Sequence, residues 1–227
     1  MIEKPKIGGE TSRSRTGKLK HRVLSGAVVF VVFYLLLDVV HGALTTLPRP
    51  LPNAADAEVY RYLTQETAAV AANAAVLLCS AGGLLVFVLA IRRVLSIRAV
   101  TPVRRGHVFG LLAVVALVLS ALLSLVLAAG ASTMSSGTAA SVQYAAFLTG
   151  GVLHVFCLGL FVGLTARAFE SRGVRILSLV AVIPAVLSVI SLVWFYGAAL
   201  ILLGRVLCMV WVITAAIVVA RAPRVPS

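Results

Sequence analysis

Two ionisable residues, Asp38 and Arg205, stand well inside long apolar runs of the chain. A charge near the centre of a membrane helix costs about 2.5–3.5 kcal/mol on insertion scales, so it usually has a partner. At helical rise, Asp38 lies about 9 Å and Arg205 about 10 Å below the outer ends of their runs. Matched depth and opposite sign predict an ion pair, which would either fix the first run against the last or form a proton or ligand site. Tyr34, Asp38 and His41 follow at helical spacing and share one face. Asn73 lies at similar depth in the second run, with Ser80 two turns below it. Gln143 is near the outer end of the fourth run, and His154 is about 16 Å down. The candidates for a ligand site or ion pair are thus Asp38, Arg205, Asn73, His154, Tyr34 and His41. Their side chains either converge on an outward-opening cavity or form separate interhelical hydrogen bonds, each worth about 0.6 kcal/mol.

Other chemistries find less support. His154 and Cys157 share a helix face and Cys208 can approach them, but a zinc site needs about four ligands. No metal is expected. His41 and His154 differ by about 12 Å in depth, too far to ligate one haem iron, so no cofactor is expected either. Cys79, Cys157 and Cys208 all lie in apolar runs without a C-x-x-C, which predicts no disulfide. The hydrolase, zinc-protease and phosphate-loop signatures are missing, so no catalytic residue is assigned and the chain reads as a non-enzyme. His107 is placed at a cytoplasmic helix end, in solvent.

The elements that must hold these residues follow from composition. The sequence is 61% hydrophobic and 12% charged, with mean hydropathy +1.08. A soluble core could not hide so much apolar surface, so lipid must solvate much of it. In lipid the backbone must satisfy its own hydrogen bonds, as helices or a closed barrel. Long unbroken apolar runs favour helices over short alternating strands. The predicted fold is an all-α bundle of six transmembrane helices, over residues 22–44, 66–91, 107–129, 143–168, 174–194 and 198–220. Together they form one domain, 22–220. Pro48, Pro50 and Pro52 mark a loop after the first span, and Ala55 to Gln65 reads as a short interfacial helix. Residues 130–142 read as an uncharged loop, Pro184 as a kink in the fifth span, and Phe195, Tyr196 and Gly197 as a tight turn. Gly159 and Gly163 form a G-x-x-x-G pattern that suits close packing inside the chain better than dimerisation.

Charge sets orientation. Of the 20 Lys and Arg residues, 17 fall in the N-terminal segment, the second and fourth loops and the C-terminal segment 221–227. The positive-inside rule then places both termini in the cytoplasm. The first run, at about 22 residues, is too long for a cleaved signal. Residues 1–21 are basic and poor in apolar residues, and are expected to be disordered. The net charge of +13 is explained by these flanks, and no compact basic domain exists to read nucleic acid.

The segment Gly159 to Val180, GLFVGLTARAFESRGVRILSLV, and the paired final hairpin resemble an uncharacterised bacterial group, actinobacterial-like, of small six-span inner-membrane proteins classed as a domain of unknown function. The resemblance implies the six-span layout and an inner (plasma) membrane location, and carries no activity or site residue. The expectation is a non-enzymatic accessory or interaction subunit with a polar pocket in the outer half of the bilayer. Its partners would be lipid and a membrane protein or a second copy. The alternative is a small transporter using an Asp38–Arg205 site.

Overall fold

The computed structural model describes residues 9–95, 100–193 and 197–222. Its elements are α1 (Gly9–Leu44), α2 (Asp56–Gln65), α3 (Thr67–Leu95), α4 (Val100–Gly130), α5 (Ser136–Phe147), α6 (His154–Ala166), α7 (Arg172–Leu187) and α8 (Ala198–Arg221). A π-helical segment, Leu148–Leu153, joins α5 to α6, and 3₁₀ turns lie at Ala131–Thr133 and Ser188–Leu192. The described residues contain no strand. Six rods are long and apolar enough to cross a membrane: Gly17–Leu44, Thr67–Leu95, Val103–Thr133, Ser136–Ala166, Arg172–Leu192 and Ala198–Arg221. The chain thus has the all-helical build of a multi-pass membrane protein.

Several boundaries differ from the sequence reading, each for a local reason. The helix begins at Gly9, so residues 9–21 extend the first rod rather than forming a disordered tail. Extending an existing helix adds one hydrogen bond per residue without a new nucleation cost. Residues 1–8 and 223–227 lie outside the described residues. The expected loop 130–142 shrinks because Ser135 caps α5, its side chain accepting from the Thr138 N–H at 3.2 Å. α4 starts at Val100, two turns before the expected start, and this carries His107 into the packed bundle, where it is 7% exposed rather than solvated. Pro184 lies inside α7. It removes one helical hydrogen bond, and the rod tightens into the 3₁₀ turn from Ser188. Of the predicted turn, Phe195 and Tyr196 lie outside the described residues.

Each span packs on the next in sequence, α8 returns to α1 to close the ring, and α6 also reaches α8. The end bearing the start of α1 and the finish of α8 is called the terminal end; the opposite, distal end carries α2. The terminal half is dry and aromatic. Phe161 meets Phe87 and Trp211 edge-on, both at 6.1 Å between ring centres. Phe169 meets Trp211 at 5.8 Å, and the Trp211 indole N–H donates to Val174 O at 3.1 Å. Two glycine contacts set the helix spacing. A Cβ on Gly26 of α1 would lie 2.6 Å from the Phe87 backbone nitrogen of α3. Ala185 of α7 is wedged between Gly159 of α6 and Gly204 of α8, whose Cβ positions would fall 2.6 Å from the Ala185 Cβ and Cα respectively. With Gly163 against Val182, the G-x-x-x-G pattern is spent inside the chain.

Candidate functional site

The distal half is open. A cavity of about 740 Å³ lies between the spans, walled by α1, α2, the loop before it, α3, α4, α5, the π segment and α8. Its polar lining includes Tyr34, Asn73, Ser120, Gln143 and Arg205. That volume falls in the range of small-molecule sites.

Arg205 is placed by the close packing just described. Gly204 lets α8 sit against α7, and the next residue points back across the bundle. One guanidinium nitrogen donates to Gly150 O at 3.0 Å, and the guanidinium carbon lies 4.8 Å from the centre of the Tyr34 ring, a cation–π contact. The Nε–H is buried and has no hydrogen-bond partner. Arginine carries five N–H donors, so Gly150 leaves most of them for something else.

Gly150 belongs to the π segment, and such segments recur at functional sites in helices. Ser120 of α4 presses on Gly150, and its hydroxyl donates to Ala146 O at 2.8 Å. A larger residue at 150 would collide with Ser120. The double glycine within an apolar run, Gly150-Gly151, was the available sequence signal for this feature.

Behind Tyr34 lies His154, fully buried. Its ring stacks on that of Tyr34 at 6.3 Å and 11°. Its Nδ1 is 3.0 Å from Ala113 O. A carbonyl only accepts, so Nδ1 carries the proton and Nε2 presents a lone pair; Nε2 has no partner. His154 therefore supports the cavity wall and does not itself line it. Asn73 lines the opposite side, with its Oδ1 buried and unpartnered. Ser80, expected near this group, donates to Phe30 O at 2.9 Å and joins α1 to α3.

The expected ion pair between Asp38 and Arg205 is not formed: among the described residues no salt bridge joins them. Asp38 lies on the exposed surface of α1 beside the apolar Leu35 and Val39, both more than half exposed, and it does not line the cavity. Depth along the helices matched, but depth says nothing of azimuth, and α1 turns Tyr34 rather than Asp38 toward α8. His41 also leaves the site: its Nδ1 lies 3.3 Å from the Tyr62 hydroxyl of α2.

Two loop features escaped the sequence reading. Arg49 lines the cavity, and its charge acts on Tyr34 and on Tyr62. Burial pushes the Tyr62 phenol up from its ordinary range, against the opposing pull of Arg49. Glu66 clamps the loop: its Oε1 accepts from the Thr46 hydroxyl at 2.7 Å, the Thr46 N–H at 2.9 Å and the Leu47 N–H at 3.0 Å. The Thr46 hydroxyl leads in holding this carboxyl below the usual glutamate range. As the first residue of the predicted second span, Glu66 gave no hint of a partner twenty residues earlier in the chain.

Among the described residues, no group of three His, Cys, Asp or Glu side chains is placed to hold a metal ion. Cys157 and Cys208 are buried and Cys79 is exposed, all as free thiols. No family model, curated protein or solved structure matches this chain.

Proposed function

We propose that this protein is a non-enzymatic inner-membrane protein with both termini in the cytoplasm, acting as an accessory or interaction subunit that holds a ligand in its distal cavity. The distal end would then face outward, a reading that the distribution of basic residues supports. One observation carries the ligand reading. Two residues that line different walls of the cavity, Asn73 and Arg205, each hold one buried polar atom, Oδ1 and Nε, without a partner. Buried polar atoms are almost always hydrogen-bonded, and an orphan asks for a ligand, an ion or water. Helix-to-helix glue would have paired these groups with each other or with backbone, as it does for Ser80.

The chain should therefore leave the membrane with something bound. Native mass spectrometry after mild detergent extraction should show a non-protein mass on the wild type, and Ser124→Phe, which narrows the cavity, should lower its retention. Accessibility gives an independent check. In a Cys79→Ser background, Ser124→Cys should react with a small methanethiosulfonate reagent. An unreactive thiol together with a bare wild-type mass would end this reading.

A further inference from the structure

The cavity has a charge imbalance and an apolar exit, and together they define a class of ligand. Its lining contains three charged residues: Arg49, Asp56 and Arg205. Asp56 is already compensated. It stands in the first turn of α2, and its Oδ2 lies 3.5 Å from the Cβ position of Gly137 in the first turn of α5. The positive ends of both helix dipoles thus meet its carboxylate. Among the lining residues the two arginines outnumber the single acid, and Arg205 keeps a buried donor unused.

The exit is Leu202, one turn before Arg205 on α8. It lines the cavity and is 64% exposed. It also heads an exposed stripe at helical spacing, Leu202, Val206 and Val210, which is the face that α8 offers to lipid. Leu202 therefore stands at the border between the cavity and the exposed face of α8, beside Arg205. Leu37, Leu77 and Ile201 supply apolar wall next to the cation.

We propose that the distal cavity binds the acidic head of a membrane amphiphile, a phosphate or carboxylate held by Arg205 and Arg49, with its acyl chain leaving past Leu202. This rests on the ligand-binding reading above and names the ligand. An arginine fork suits two acid oxygens at once. The terminal guanidinium N–H groups that Gly150 does not occupy supply that fork, and the Tyr34 face fixes the guanidinium plane. A free anion shares the head-group chemistry but has no use for the opening at Leu202.

The test reconstitutes the full chain in phosphatidylcholine nanodiscs doped with phosphatidylglycerol and counts retained lipids by native mass spectrometry. The wild type should keep phosphatidylglycerol in preference to phosphatidylcholine. Arg205→Gln should lower that retention about tenfold or more, Arg49→Gln by less, and Leu202→Trp, which narrows the exit, should also lower it. Arg205→Lys, which keeps charge but not the fork, should fall between wild type and Arg205→Gln. If Arg205→Gln does not fold, Arg49→Gln and Leu202→Trp decide. Equal retention of the two lipids by the wild type overturns the proposal, as does unchanged retention across the folded variants. Inorganic phosphate separates the two anion sources. If it shields the Ser124→Cys thiol in pure phosphatidylcholine discs as well as phosphatidylglycerol does in doped discs, the anion comes from solution and the amphiphile is overturned. A reactive Ser124→Cys thiol without lipid preference would sink this proposal alone and leave the ligand-binding cavity standing.

Discussion

Arg205 shows how one side chain can be legible in type and misread in partner. Its position inside an apolar run marks it as costly, and the cost is met by a carbonyl and an aromatic face instead of a carboxylate. A guanidinium tolerates this better than an ammonium, because it is planar, weakly hydrated and stacks on rings. Ser80 is a residue of the opposite kind, hydrogen-bonded to backbone and outside the cavity lining. Ser80→Ala removes the Phe30 contact and should cost about 0.6 kcal/mol, the mean for interhelical hydrogen bonds in membranes. Reversible unfolding in mixed micelles would measure it, and a much larger loss would mean that α1 depends on this bond for its position. His154→Phe keeps the buried ring and drops the Ala113 contact. We expect it to destabilise by about 1 kcal/mol, and to loosen the Tyr34 ring that backs Arg205.

Among elements, the crossing of α1 over α3 is the tightest in the bundle's own terms, since Gly26 and Gly83 each meet the other helix's backbone. Gly26→Ala should cost about 1–3 kcal/mol, the usual range for overpacking a filled site. Unfolding titrations of the variant would show this directly. The loop between α1 and α3 depends instead on a charge. Because Glu66 has a depressed folded pKa, its contribution is complete above the ordinary glutamate range and is lost as pH falls through the lower folded value. Thermal stability should be flat near neutral pH and decline in acid. Glu66→Gln should melt earlier at neutral pH and lose this part of the acid dependence. If wild type and Glu66→Gln lose stability in parallel on acidification, the clamp is not what acid breaks.

For the molecule as a whole, the two halves divide the work. The terminal half is packed by aromatics and glycines, and it fixes the directions of the helices. The distal half inherits those directions and stays open, roofed by α2 and the Glu66 clamp. Lys20 reaches across to Ala222 O, so the first and last helices are joined at the terminal end as well. The orientation of this polarised bundle in a membrane is open to a simple measurement. Reporter tags inserted at Asn53 and at the C-terminus should be found on opposite sides of the bilayer, with the C-terminal tag in the cytoplasm. Tags found on one side would overturn the proposed topology and the outward-facing cavity with it.

The sequence alone determined the six rods and the short helix before the second rod. Those features depend on local quantities, apolar length and turn chemistry, that a run of residues carries by itself. It also placed Tyr34, Asn73 and Arg205 at compatible depths, because rise per residue is constant. The tertiary structure alone decided which of them face one another. Azimuth depends on how closely neighbouring helices approach, and that was set by Gly26, Gly83, Gly159 and Gly204, together with the π turn that aims Gly150 at Arg205. Asp38 and Arg205 show the difference: a rotation about the helix axis leaves depth unchanged, yet it separates an exposed carboxylate from a part-buried guanidinium.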